Sequence, residues 1–129
     1  MLKLINKRTK HEYVCLFQLP QIGMKVDAVL PFIKNSLTNL KLDYVDLYLI
    51  HWPIGMDSGK DYKNFLPRTP SGEFSFDFET DLEHIWKSLE TLVDDGLVKA
   101  LGLSNFNILQ IERILKISRH PPSNLQVSY

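Results

Sequence analysis

The sequence has little cysteine, no excess of either charge and no long apolar run. Each absence excludes something. Cys15 is the single cysteine of the 129 residues, so no internal disulfide can form. That fits a reducing, cytoplasmic setting. Fifteen basic side chains balance fifteen acidic ones, leaving no field of one sign to attract nucleic acid or anionic lipid. Neither partner is expected. No stretch approaches membrane-spanning length. The start, Met1 to Lys10, alternates apolar and basic residues and lacks the apolar core of a signal peptide. Neither GxGxxG nor GxxxxGK occurs, which argues against the common nucleotide-binding open sheets. No Cys/His group has metal spacing, and no serine sits in a GxSxG elbow.

What is present is a soluble, globular composition: 44% hydrophobic and 23% charged residues are enough to build a core. The apolar run Tyr13–Leu19 stops at Pro20, as the strand of a covered sheet does. Val29, Phe32, Ile33, Ser36, Leu37 and Leu40 fall on one helical stripe, with Pro31 near the helix start. Asp43–Ile50 reads as a second strand ending at His51-Trp52-Pro53. Residues 54–79 show no sustained periodicity and are expected to form a long active-site loop. Thr80 and Glu83 have capping-box spacing, and Leu82, Ile85, Trp86, Leu89, Leu92 and Val93 form the buried face of the helix they open. Gly96 supplies a left-handed stop. Leu97–Gly102 is a third strand and Ser104–Asn107 a turn. A third helix follows, with Ile108, Ile111, Ile114 and Leu115 expected inward. Leu125–Tyr129 is a fourth strand.

Strands alternating with helices force a parallel sheet with right-handed crossovers. Periodicity alone does not separate a doubly wound sheet from part of a barrel. In either fold, functional groups gather at the carboxyl ends of strands. His51 ends the second strand with the parity of Val45, Leu47 and Leu49. Ser104 and Asn105 follow the third, Gln18 is near the end of the first, and Gln126 lies in the fourth. A neutral imidazole at His51 could donate to a substrate oxygen, or simply satisfy a loop carbonyl. Ser104-Asn105 could cap the next helix. Gln126 could hold a structural partner. Trp52 could line a pocket or pack. Trp86 reads as core. His11, His84 and His120 read as solvated.

Three segments carry a resemblance. Leu42-Asp-Tyr-Val-Asp-Leu-Tyr-Leu-Ile-His-Trp-Pro53 resembles the aldo-keto reductase segment that ends in the catalytic histidine. Ile85 to Phe106, with Gly102-Leu-Ser-Asn-Phe106 at its end, resembles the next helix, strand and turn of that family. Pro122-Ser-Asn-Leu-Gln-Val127 resembles the strand after it. The resemblance implies a partial (β/α)8 TIM barrel, incomplete at both ends, with four parallel strands and three helices, spanning 1–129 as one partial domain. It implies NADPH as cofactor and reduction of a small carbonyl substrate. His51 would orient the carbonyl oxygen. Trp52 would belong to the substrate pocket, and Ser104, Asn105 and Gln126 would hold the nicotinamide carboxamide. A family tyrosine, tuned by a lysine–aspartate pair, protonates the product.

The chain departs from that pattern in four places. No Asp-Thr-Ala…Tyr context precedes Tyr13. Gln18-Leu19-Pro20 stands where the family has Lys-Leu-Pro, and glutamine brings no charge to depress a tyrosine pKa. Ser128 stands where an acid is usual. The last two β/α units, with their phosphate-gripping basic loop, are absent. The expectation is therefore a reductase segment that is weakly active or inactive, self-associating through open sheet edges. The alternative is a non-catalytic interaction module.

Overall fold

A computed structural model describes residues 3–6 and 13–127. In chain order the elements are β1 (Lys3–Asn6), β2 (Tyr13–Leu19), a 3-10 turn (Gln21–Gly23), α1 (Val29–Leu40) and β3 (Val45–Ile50). The 54–79 segment contains β4 (Gly55–Met56) and β5 (Phe76–Asp77). Then come α2 (Leu82–Asp94), β6 (Val98–Ser104), α3 (Ile108–Ile117) and β7 (Asn124–Gln126). The main sheet runs β1-β2-β3-β6-β7. The last four of these strands are parallel, each joined to the next by a helix, and the three helices complete the barrel-type layering. Ser128 and His11 lie outside the described residues, as do the end of the expected fourth strand and the rest of the N-terminal segment.

Pairing register decides which residues share a face. Gln18 pairs with Leu49, Leu49 with Gly102, and Gly102 with Asn124. Because side chains alternate along a strand, Leu16, Gln18, Leu47, Leu49, Gly102, Ser104 and Gln126 share one face. Phe17, Leu19, Tyr48, Ile50, Leu101 and Leu103 point the other way, into the core against the helices. Gly102 is required where it stands: a Cβ there would collide with the Leu49 side chain and lie 2.9 Å from the Asn124 carbonyl oxygen.

The helices supply the opposite wall. Val29, Ile33 and Leu37 recur at four-residue spacing on α1 and are buried. Phe32 is only half-buried and Leu40 is exposed, so the α1 stripe is narrower than its periodicity suggests. On α2, Ile85, Trp86, Leu89 and Leu92 are buried, with Trp86 fully enclosed. Its indole N–H finds no partner among the described residues. Leaving it so costs about 1–3 kcal/mol, which burial of the large ring offsets.

Two caps differ from the sequence expectation. Asp81, not Thr80, caps α2: its Oδ1 accepts from the backbone N–H groups of Glu83 and His84, both at 3.1 Å. Thr80 is occupied elsewhere, its hydroxyl donating to Asp77 O at 2.6 Å and accepting from Gly55 N at 2.9 Å. The α3 helix is capped by Asn107 in a reciprocal box with Gln110, not by Ser104 or Asn105. On α3 the inward face is also narrower than expected. Ile114 is buried, but Ile108 is 73% and Leu115 50% exposed, because the main packing partner of α3 among the described residues is α2, which covers one side of it.

The β1 strand was not expected. It pairs antiparallel with β2, Leu4 opposite Cys15, and so covers an edge that the sequence reading left open. An edge strand presents a row of unpaired N–H and C=O groups, and any extended segment can satisfy them.

At the other end of the sheet, Glu90 fixes the approach to β7. It is 1% exposed on α2, yet its Oε1 accepts from Arg119 N at 2.6 Å and His120 N at 2.9 Å. Asp94, one turn on, accepts from Arg119 and His120 side chains at 2.8 and 2.9 Å. Those two bonds, Arg119 first, hold the Asp94 carboxyl down from 3.8 to about 2. His120 is therefore a tethered residue, not a solvated one. His84 also has a carboxylate partner, Asp81.

Candidate active site

β3 is an apolar run buried on both faces at its end, with Leu49 and Ile50 fully enclosed. That burial fixes the direction in which the next residue leaves. His51 N donates to Leu19 O at 3.3 Å, extending the parallel ladder by one residue and holding the imidazole on the Leu47–Leu49 face. His51 is half-buried, and burial lowers its pKa below the ordinary 6.5. At neutral pH the ring is uncharged, with one nitrogen a donor and the other an acceptor.

Beside it β6 ends in Ser104, which is fully buried. Asn105 follows in the left-handed region, φ 61°. Asparagine adopts that conformation more easily than most residues, and here it ties three strand ends together. Its Nδ2 donates to His51 O at 2.9 Å and to Ser104 Oγ at 3.1 Å. Its backbone N–H donates to Gln126 O at 2.9 Å. The hold of Asn105 on the His51 carbonyl escaped the sequence reading. The one available signal was a polar residue directly after a strand, a position shared by many turns.

Gln126 ends β7, and its Oε1 accepts from Gln18 Nε2 at 3.4 Å, a long bond between two neutral amides. Gln18, His51, Ser104, Asn105 and Gln126 thus gather at the carboxyl ends of four adjacent parallel strands. Trp52 is 40% exposed, with its ring 6.1 Å from that of His51 and tilted by 50°. It does not border the large cleft beside His51 described below. The 54–79 segment is anchored next to the rim. Gln21 Nε2 donates to Ile54 O at 3.2 Å, and Lys25 lies 3.7 and 3.8 Å from Asp57 and Asp77.

This arrangement of strands and rim residues has a counterpart in known proteins. The aldo/keto reductase family model matches residues 16–129. The chain belongs to the aldo/keto reductase family. It is 46% identical over 101 residues to "Aldo-keto reductase family 1 member A1" of Gallus gallus, a match covering 78% of this chain and 30% of that protein. A Danio rerio relative, "Aldo-keto reductase family 1 member A1-A", is 47% identical over 94 residues, covering 73% and 28%. Among solved structures, the aldose reductase of Schistosoma japonicum superposes with a TM-score of 0.81 at 40% identity, covering 88% of this chain and 36% of that one. The chain therefore spans about 30% of the length of the curated relatives it matches.

In aldo/keto reductase terms, the described residues form four consecutive strands of the barrel with the three intervening helices. The rim can do two things chemically. The neutral His51 ring can donate a hydrogen bond to a carbonyl oxygen and so stabilise charge developing there. The hydroxyl and amide groups of Ser104, Asn105 and Gln126 offer donors and acceptors together, the complement a primary carboxamide requires. Gln18 beside them is uncharged.

The shifted His51 pKa has a measurable consequence. Its folded value lies below 6.5, so between the two values the unfolded chain binds more protons. His51 therefore contributes its full stability above 6.5 and loses it as pH falls below 6.5. An NMR titration of the imidazole is expected to give a midpoint under 6.5. A midpoint at or above that value would mean that the ring is solvated, not held at the strand end.

Proposed function

We propose that this segment carries the carbonyl-orienting and nicotinamide-facing part of an NADPH-dependent aldehyde or ketone reductase. The observation behind the reading is the convergence of His51, Ser104, Asn105 and Gln126 at one rim, tied together through Asn105. His51 would orient the carbonyl oxygen. Ser104, Asn105 and Gln126 would hold the carboxamide. Trp52 and the 54–79 loop would bound the substrate. NADPH, when bound, supplies the hydride. The polar set fits the carboxamide end of that cofactor, while its phosphates would need cations from elsewhere. The setting that suits this chemistry, and a lone thiol, is the cytoplasm.

A second reading has its own observation. Gln18 occupies the lysine position and bonds the very amide that would hold the cofactor. In this reading the 129-residue chain by itself is a weakly active or non-catalytic form of the fold.

The cofactor reading is tested by saturation-transfer NMR with NADPH. The nicotinamide protons are expected to receive more saturation than the adenine protons, and Gln126→Ala is expected to erase the difference. Equal or greater saturation of adenine would refute the assignment of the rim.

We also propose that the chain self-associates. β7 is the outer strand at one side of the sheet; Leu125 and Val127 are 47% and 51% exposed, and Ile108 and Leu109 of α3 are exposed as well. Exposed apolar side chains along an unpaired edge favour pairing with another chain. Sedimentation is expected to show concentration-dependent species above monomer. A monodisperse monomer with a sharp thermal transition would contradict this.

A further inference from the structure

The helix side of the sheet holds a cleft that the rim chemistry does not use. It lies between α1, the outer face of β2 and the 54–79 segment, with a volume of about 600 Å³. Phe17, Phe32, Tyr48, Tyr62, Phe65 and Leu66 supply most of its apolar wall. Phe32 and Tyr62 meet edge to face, ring centroids 5.4 Å apart, and join the helix to the loop. The cleft reaches round the carboxyl end of β2 to Gln18 and His51. Tyr48, by its parity, belongs to the face opposite His51.

Tyr48 is the informative residue. It is 2% exposed, it lines the cleft, and its hydroxyl makes no hydrogen bond to any described residue. A phenol O–H that borders a cleft can donate to a molecule held there. Burial also pushes the phenol pKa up, so the group remains a donor throughout the physiological range. The other polar groups of the lining are neutral amides and hydroxyls, His51, and the carboxylate of Asp27; among the described residues neither lysine nor arginine borders the cleft. An anionic ligand would meet Asp27 with no compensating cation among the described residues of the lining.

We propose that this cleft is a binding site for a small, neutral aromatic molecule bearing a carbonyl or ether oxygen. The ring stacks among the aromatic side chains, and the oxygen accepts a hydrogen bond from the Tyr48 hydroxyl. A concave, mostly apolar cleft with one oriented donor is the usual form of such a site. The proposal does not depend on reductase chemistry. Binding needs no NADPH, so failure of the cofactor reading and failure of this one are separable.

The test is ligand-detected NMR on the whole chain with 2-acetonaphthone as the probe and 2-naphthoate as its anionic counterpart. Saturable binding of the ketone is expected, with the carboxylate clearly weaker. Tyr48→Phe, which removes only the hydroxyl, is expected to weaken binding roughly two- to tenfold, the worth of one hydrogen bond. Asn35→Trp, which fills the cleft from the exposed side of α1, is expected to abolish it while leaving the circular dichroism spectrum unchanged. If Tyr48→Phe does not fold, Asn35→Trp decides alone. Absence of saturable binding, equal affinity for the carboxylate, or undiminished binding by Asn35→Trp would each overturn the proposal. So would undiminished binding by a folded Tyr48→Phe.

Discussion

Mixed with NADPH and a panel of reactive aldehydes, the 129-residue chain is expected to oxidise the cofactor no faster than buffer does. The geometry gives three reasons. First, no tyrosine hydroxyl among the described residues bonds to His51. Tyr48 lies on the opposite face of β3, and Tyr62 packs on Phe32. Burial raises the Tyr48 pKa, which makes that phenol a poorer acid still. Loss of a general acid costs on the order of 10²–10⁴-fold in rate. Second, Gln18 brings hydrogen-bonding capacity but no positive charge. Third, on the proposed reading the rim groups would address one end of the cofactor only, so the hydride donor would seldom be in place, and that loss would multiply the first. Gln18→Lys is therefore expected to leave the isolated chain inert, because the acid it would tune is missing from the rim. The measurement is NADPH absorbance, run beside His51→Ala. Turnover by the unmodified chain that vanishes in His51→Ala would show that the chain completes the site.

Much of this was legible in the sequence because it rests on local pattern. Alternating apolar runs and helical stripes gave the order of the parallel strands and helices. The parity of Val45, Leu47 and Leu49 gave the face of His51, since side chains alternate strictly along a strand. The apolar stripe around Trp86 marked it as core. What was not legible depends on which tertiary partner claims a group. Thr80 and Asp81 can both cap a helix, and the choice falls to Asp81 because Gly55 and Asp77 engage the Thr80 hydroxyl. Ile108 and Leu115 lie on a helical stripe with Ile111 and Ile114, but only a neighbouring helix could bury them, and periodicity cannot say whether one is there.

The candidate site divides in the same way. Residue types and positions at strand ends could be read directly. Their connections could not. Asn105 reaching the His51 carbonyl spans 54 positions in sequence, and Gln18 reaching Gln126 spans 108. Glu90 was hidden for a related reason. An acid on the buried face of α2 looks like a break in the stripe until the backbone N–H groups of Arg119 and His120 are seen to converge on it. β1 was missed because an edge strand needs no buried face of its own, only the unsatisfied edge of β2.

The largest expected effect in the other direction comes from returning the segment to a whole barrel. The central claim is that residues 16–127 carry a competent reductase rim with one defect, the uncharged side chain at position 18. Substituting this segment for the matching stretch of the Gallus gallus relative supplies the remaining strands and loops. The deciding measurement is kcat and KM for NADPH-dependent aldehyde reduction by this chimera with Gln18 and with Gln18→Lys, each confirmed as folded by circular dichroism. With Gln18→Lys, turnover near that of the unmodified relative is expected, falling on the further change His51→Ala. With Gln18 retained, kcat is expected to be lower by about 10²–10⁴-fold, the scale of a mistuned general acid, with KM for NADPH little changed. Equal turnover by the two chimeras, or a folded Gln18→Lys chimera that remains inert, would contradict the claim.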